Sequence, residues 1–148
     1  MTIGRSVIFV NANMKSDVEE LHSVLAALAD PTRIRILGLL AKGEVCVCHL
    51  HDALRIPQPK ASRHLAYLRK AGVVVADKRG LWVHYRLADA NSGAAGTLLS
   101  AVRSIVSKLD VVKRDSERLE RALCCAPEAA RSPRRSRPRA PRHSGVDG

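Results

Sequence analysis

Hydrophobic residues recur along most of this chain with the spacing of amphipathic helices. The first series predicts a helix that stops before Asp30, and it consists of Val18, Leu21, Leu25 and Leu28. A second helix is expected to follow, because Asp30 suits an N-cap, Pro31 suits a first helical turn and Gly43 suits a C-cap. A third, short helix then carries the segment EVCVCHLHDAL, residues 44–54.

The fourth predicted helix presents two different faces. Its segment PQPKASRHLAYLRKAG has Pro59 in the first turn and Gly72 at the end, and Ala61, Leu65 and Leu68 form its apolar stripe. Basic, polar and aromatic side chains share another face: Lys60, Arg63, His64 and Tyr67. Such a row is typical either of a solvated helix face or of a helix that lies in the DNA major groove.

A strand-like alternation follows, and it predicts a two-stranded hairpin made of VVV, the turn DKRG and LWVHYRL. In the second strand Leu81, Val83, Tyr85 and Leu87 are expected to face the core, whereas Trp82, His84 and Arg86 are expected to face outward. Lys78 and Arg79 occupy the predicted tip. The last three of these helices, followed by a basic hairpin, have the element order of a winged helix-turn-helix, whose hairpin approaches the DNA backbone beside the recognition helix.

The last apolar series has heptad spacing and predicts one long helix over residues 97–123: Leu98, Val102, Ile105, Leu109, Val112, Leu119 and Leu123. Such a seam either packs on its own domain or pairs with another helix, and we expect a homodimer. The predicted fold is therefore mainly α with a β-hairpin, a winged helix-turn-helix with a long C-terminal dimerisation helix. We expect a mobile arm at residues 1–16, this domain at 17–125 and a disordered tail rich in Arg and Pro at 126–148.

Composition narrows the function. A chain of 148 residues with a net charge of +11 suits one domain that is attracted to polyanions such as nucleic acid. No apolar run approaches the roughly 18 residues of a membrane span, so we expect a cytoplasmic protein without a membrane partner. Enzymatic activity is not expected, because the chain has neither a phosphate loop nor a nucleophile elbow.

The four cysteines form two close pairs, Cys46 with Cys48 and Cys124 with Cys125. In a reducing compartment such pairs indicate a metal site or a redox site rather than structural disulfides. The alternative interpretation is that the four cysteines are ordinary small buried hydrophobic residues. A thiol-based redox sensor is the alternative of a different class, and a nucleoid-type protein that binds DNA without sequence preference would share the positive charge.

The stretch from Glu20 to Leu87 resembles the ArsR/SmtB family of bacterial metal-sensing repressors. The resemblance is carried by LADPTRIRILGLL, EVCVCHL, PQPKASRHLAYLRKAGVV and KRGLWVHYRL. It implies a dimeric repressor that leaves double-stranded operator DNA when a metal or metalloid ion binds. The DNA-binding residues are then expected to be Gln58, Lys60, Ser62, Arg63, His64, Tyr67, Lys78 and Arg79.

The CVC motif looks most like that of the members that respond to trivalent arsenic or antimony, which carry a third thiol where this chain has His51. The expected ligands are therefore Cys46 and Cys48, with Cys124 or Cys125 supplying the third sulfur. Soft ions of this kind prefer thiolates, whereas imidazoles suit zinc. Zinc or cadmium is the alternative inducer, and a local site made of the CVC thiols with His49 and His51 is the competing arrangement.

The spacing of the two thiols suggests a switch. On an α-helix, residues two apart point about 200° away from each other, so Cys46 and Cys48 could not bind one ion while that turn is helical. Binding is therefore expected to distort the start of the third helix and, through it, the helix that presents Lys60 and Arg63 to DNA. His49 and His51 are interpreted first as ordinary solvated or hydrogen-bonded residues.

Overall fold

A computed structural model describes residues 17–89 and 93–124 of the chain. Its elements follow in the order α1 (17–28), α2 (Pro31–Leu40), β1 (Val45–Cys46), α3 (Val47–Leu54), α4 (Gln58–Lys70), β2 (Val74–Arg79), β3 (Trp82–Leu87), α5 (Ala94–Val106) and α6 (Asp110–Cys124). This order confirms a mainly helical winged helix-turn-helix. The arm and the tail predicted from the sequence lie outside the described residues.

The start of α2 follows the local sequence. Asp30 has an extended backbone and its carboxylate accepts a hydrogen bond from the backbone N–H of Arg33 at 3.0 Å, while Pro31 occupies the first turn. An N-cap of this kind stabilises a helix by about 1 kcal/mol. The helix ends at Leu40, and Ala41 rather than Gly43 is its C-cap residue.

The hydrophobic core lies where α2, α3 and α4 meet the base of the hairpin. Its largest fully buried apolar side chains are Ile36, Leu39, Leu40, Leu50, Leu54, Leu65, Leu68, Val73 and Val74. In α1 the buried residues are Val24 and Ala27, whereas Val18 and Leu25 of the predicted stripe are exposed. The face of α1 turned toward the core is therefore rotated from the predicted one.

The sheet has three antiparallel strands in the order β1-β3-β2. The short strand β1 was not predicted; it pairs Val45 with Tyr85 and Cys46 with His84. The predicted DKRG turn is wrong, because β2 continues through Arg79 and pairs it with Trp82. The chain reverses at Gly80, whose φ of 62° favours glycine. Leu81 therefore sits at the tip, 93 % exposed, and not in the core.

The C-terminal segment forms two helices, so the single long helix predicted over residues 97–123 is wrong. The chain leaves α5 through a tight turn, in which the N–H groups of Lys108 and Leu109 donate to carbonyls three residues earlier. The hydroxyl of Ser107 donates to the carbonyl of Ser104 at 3.0 Å. Local hydrogen bonds of this kind compete with helix continuation, and they separate the two halves of the heptad series.

Helix α6 packs against α2 and α3 of its own chain. Val112 and Leu119 are buried there, and Val112 lies so close to Gly38 of α2 that an added Cβ would meet it at 2.5 Å. Ser116, the polar position in the heptad series, is buried as well. This half of the predicted dimerisation seam therefore closes the domain itself.

A buried carboxylate fixes α6 in place. Asp115 is fully buried and accepts from Arg35 of α2 through both oxygens, at 2.7 and 2.8 Å, and it also accepts from Arg118. The two guanidinium groups extend to the last turn of α3, because Arg118 donates to the carbonyl of Ala53 at 2.7 Å and Arg35 to that of Leu54 at 3.2 Å. Three helices are thus joined by one charged network.

Replacing Asp115 with Asn should destabilise the domain by about 3–5 kcal/mol, because removal of one partner of a buried ion pair leaves the others without compensation. The measurement is the urea midpoint at constant m. Glu120→Gln is the matched control on the same helix. Its 3.8 Å pair with Lys42 is exposed and should contribute less than about 1 kcal/mol. Equal midpoints for the two variants would show that the Asp115 network does not hold α6.

Candidate metal centre and nucleic-acid interface

Two thiols meet where β1 ends and α3 begins. Cys46 is the last residue of β1 and has an extended backbone, with φ −70° and ψ 142°, while Cys48 lies in the first turn of α3. The thiol of Cys48 donates to the sulfur of Cys46, and the two Sγ atoms are 2.8 Å apart. The expectation that helical geometry would point these thiols in opposite directions is wrong, since the helix begins only at Val47.

His49 lies beside this pair. Its Nδ1 atom is 3.6 Å from Sγ of Cys48, and the donor atoms of Cys46, Cys48 and His49 all lie within 4.8 Å of one another. Within residues 17–89 and 93–124 this is the one group of three or more such side chains that could hold a metal ion. His49 is therefore a candidate third donor, while an ordinary solvated or hydrogen-bonded role stays the alternative for this half-buried residue.

His51 does not join the group. Its Nδ1 lies 3.5 Å from the carboxylate of Asp52, which is exposed. The competing arrangement with both His49 and His51 as ligands is therefore not assembled. We describe Cys46, Cys48 and His49 from here on as the thiol site.

Burial sets the protonation states of the thiol site. Desolvation, together with the neighbouring Cys46 sulfur, raises the pKa of the Cys48 thiol to about 12. Desolvation also lowers the pKa of His49, and His84 and His51 act in the same direction. Near neutral pH the Cys48 thiol is thus protonated and the His49 imidazole is neutral. An arriving ion would displace the thiol proton, whereas the imidazole needs no deprotonation to donate.

His84 reaches the same region from the wing. It is directly opposite Cys46 in the β1–β3 ladder and is buried, so its predicted outward position is wrong. The reason is that β1 pairs with the edge of β3 that an isolated hairpin would leave open, and α3 packs against β3. Nδ1 of His84 lies 3.4 Å from Oε1 of Glu44, and this oxygen is 2.7 Å from Nη1 of Arg79.

Sequence reasoning missed Glu44 and His84 because nothing in the pattern indicated β1. The signal that could have indicated this contact is the presence of Cys46 and His84 in two segments that become adjacent strands. The other predicted thiols are not placed: Cys125 and the side chain of Cys124, the last residue of α6, lie outside the described residues.

The predicted DNA-contacting residues of α4 are only partly presented outward. Gln58, Lys60, Arg63 and Tyr67 are exposed, and Ser62 is half-buried. His64 is directed toward the protein instead: its side chain is 16 % exposed, and its Nδ1 lies 3.7 Å from the carboxylate of Asp30. This contact ties α4 to the N-cap of α2, so His64 is better suited to orienting α4 than to touching a base.

Tyr67 and Arg79 also have partners within the protein. The guanidinium of Arg33, which sequence reasoning did not single out, lies 4.2 Å from the centroid of the Tyr67 ring. Arg79 is held by Glu44 and by Asp77, the latter at 2.9 Å. Lys78 is exposed beside it. The outward-facing cations of this surface are therefore Lys60, Arg63 and Lys78.

Across residues 17–89 and 93–124, no helix has the length and apolar character needed to cross a membrane.

Comparison with known proteins places the chain in a family. Residues 30–75 match the model described as bacterial regulatory protein, arsR family. The arsenic resistance transcriptional regulator ArsR1 of Pseudomonas putida is 54 % identical over 65 residues, which are 43 % of this chain and 51 % of that protein. The chain thus spans about half the length of that relative.

A second relative is matched over most of its length. The uncharacterised HTH-type transcriptional regulator MJ1325 of Methanocaldococcus jannaschii is 47 % identical over 72 residues, covering 48 % of this chain and 81 % of that protein. Among solved structures, the homodimeric winged helix-turn-helix DNA-binding domain Mb0332 of Mycobacterium bovis aligns with a TM-score of 0.55 at 28 % identity. The alignment covers 64 % of this chain and 85 % of the Mb0332 chain. These relatives are DNA-binding regulators and not enzymes, and the chain belongs to the arsR family of bacterial regulatory proteins.

Proposed function

We propose that the protein is a transcriptional repressor that binds operator DNA as a homodimer and is released when trivalent arsenic or antimony binds the thiols of Cys46 and Cys48. The observation that carries this proposal is the 2.8 Å contact between the two sulfurs at the start of α3. A soft ion is held by thiolates, and two thiols already in contact can close on one ion with little change in the backbone. The reducing cytoplasm would keep both thiols available.

The third donor in this proposal is His49, whose Nδ1 already lies 3.6 Å from Sγ of Cys48. Cys124 and Cys125 are the alternative third donors, since they are the other thiols of the chain. A nitrogen donor also favours zinc or cadmium as a second class of inducer, because imidazole suits borderline cations.

The signal would travel through α3, which is eight residues long and directly precedes α4. Its last turn is held by Arg35 and Arg118, and the chain then turns sharply at Arg55, whose φ is 57°. A short helix held at its far end transmits a change at its start. The ion weakens DNA binding only to the extent that it prefers the conformation that does not bind DNA.

A homodimer fits this proposal because two-fold symmetry matches a palindromic operator. Apolar side chains that the core leaves exposed on α1 and α5 suit an interface: Val18 is 63 % exposed, Leu25 49 % and Ile105 59 %. Helix α6 is less suited, since Val112 and Leu119 are buried within the chain.

A redox switch at the same two thiols is the candidate of a different class. The close sulfur contact favours it, but the thiolate is the form that reacts with oxidants. Burial and the neighbouring Cys46 sulfur raise the pKa of Cys48 to about 12, so that this thiol is largely protonated and reacts slowly. Ion binding remains the proposed function, because an ion that binds the sulfurs displaces the thiol proton.

Cys46→Ser and Cys48→Ser should each leave operator affinity nearly unchanged and abolish release by arsenite. The thiols would carry the signal, whereas Lys60 and Arg63 would carry the DNA contact. Fluorescence anisotropy of a labelled operator duplex, titrated with arsenite, measures both properties, and His51→Gln is the control that should still respond. Release of either serine variant at the wild-type arsenite concentration would refute the site.

Arg63→Ala should weaken operator binding by about 1–3 kcal/mol and relax specificity at one base pair, if this side chain reads a base. Arg69→Ala is the matched control, because Arg69 is an exposed arginine near the end of the same helix. Affinities for the operator and for a scrambled duplex, measured at fixed salt, distinguish the two roles. Equal losses for both variants on both duplexes would reduce Arg63 to a general electrostatic contact.

A further inference from the structure

We propose that His84, on the wing strand β3, is the fourth donor of the thiol site, and that Cys46, Cys48, His49 and His84 together hold a divalent cation of borderline softness, with Zn²⁺ as the probe. This inference rests on the proposed function in so far as both use the same two thiols. It differs in assigning a ligand to the wing.

The pairing of the strands places His84 opposite Cys46, although the ring of His84 lies outside the 4.8 Å group formed by Cys46, Cys48 and His49. Cys46 and His84 are directly opposite in an antiparallel ladder, where facing residues have Cα atoms about 4.5–5.5 Å apart and side chains on the same face of the sheet. Both residues are buried. An imidazole and a thiol are thus enclosed together between β3 and the start of α3.

One ring nitrogen of the buried His84 imidazole is unsatisfied. Its side chain is 5 % exposed, and its Nδ1 atom has no hydrogen-bond partner. A buried polar atom without a partner is destabilising and calls for an explanation. Metal ligation through Nε2 would supply one, since it would orient the ring so that Nδ1–H can donate to a neighbouring carboxylate.

Glu44 is positioned to support this ligand. Its Oε1 atom lies 3.4 Å from Nδ1 of His84, so that a small rotation of the ring would let Nδ1–H donate to the carboxylate. Ligating histidines commonly donate their second ring N–H to a carboxylate in this way. In the proposed site Nε2 of His84 donates to the cation while Nδ1 carries the proton.

Two sulfur and two nitrogen donors form the tetrahedral set that zinc prefers. With Zn–S bonds of about 2.3 Å, the two sulfurs would lie about 3.8 Å apart, so the 2.8 Å contact between Cys46 and Cys48 has to open by rotation of the side chains. The cation replaces the two thiol protons, which pass to solvent, and both imidazoles bind in the neutral form. Trivalent arsenic takes three donors and does not require His84.

Coordination by His84 would connect the ion to the DNA-facing wing. Glu44 also holds Arg79, with Oε1 2.7 Å from Nη1. A cation that fixes His84 and draws Glu44 toward its ring would alter this ion pair. The divalent cation would then affect the wing as well as α3.

The test uses the full-length chain and measures Zn²⁺ affinity by competition with a chromophoric chelator. His84→Gln should weaken Zn²⁺ binding at least about tenfold, in keeping with the effect of losing support for a zinc ligand, while arsenite binding persists. His51→Gln is the matched control and should bind Zn²⁺ as the wild type does. Wild-type Zn²⁺ affinity in His84→Gln, or a tenfold loss in His51→Gln, would overturn the proposal.

X-ray absorption at the zinc edge of the wild-type protein tests the ligand set even if His84→Gln fails to fold. Two sulfur and two imidazole neighbours are expected, and fewer than two imidazoles would overturn the proposal. The outcomes also separate the two hypotheses. Zinc binding that depends on His84 without any arsenite binding would refute the proposed function alone, whereas arsenite release with His84-independent zinc binding would refute this inference alone.

Discussion

The pairing of Cys46 with His84 is the constraint on which the thiol site depends. Because Cys46 forms a rung of the β1–β3 ladder, its backbone is extended and α3 can begin only at Val47. A helix that began two residues earlier would carry the two thiols to opposite sides. One short strand therefore brings the sulfurs together, places His49 beside them and buries His84 opposite Cys46.

The contact between the two sulfurs affects how an ion could act on α3. The sulfurs already meet, so the start of α3 does not have to unwind to bind an ion. The far end of α3 is held by the network around Asp115, through Arg35 and Arg118. Under the proposed function, a change in sulfur spacing at the start of α3 would be felt by α4, which follows α3 directly along the chain. Under the proposed function, the C-terminal helix α6 would contribute to sensing by holding the last turn of α3 through Arg118.

Elements with strong local signals were predictable from the sequence. Asp30 and Pro31 mark the start of α2, and the alternating faces of α4 gave both its buried stripe and its basic row. The hairpin was recognised from its alternation, although its turn was misplaced, because β2 continues through the polar residues Asp77 and Lys78 that resemble a turn. The choice of Cys46 and Cys48 as ligands rested on their spacing and on the family resemblance.

The features that sequence reasoning missed depend on contacts between distant segments. A two-residue strand such as β1 has no periodicity to detect, so the burial of His84 and its proximity to Cys46 were invisible. A heptad series has the same appearance whether it pairs with another chain or packs on its own domain. Here Val112 packs on its own domain, because Gly38 permits close approach and Asp115 accepts a hydrogen bond from Arg35.

X-ray absorption at the arsenic edge of the arsenite-bound, full-length protein tests most directly whether the thiol site is complete within α3 and its neighbouring strands. We expect two sulfur neighbours, from Cys46 and Cys48, and one lighter neighbour from His49. Three sulfur neighbours would contradict this expectation, because the third sulfur would have to come from Cys124 or Cys125.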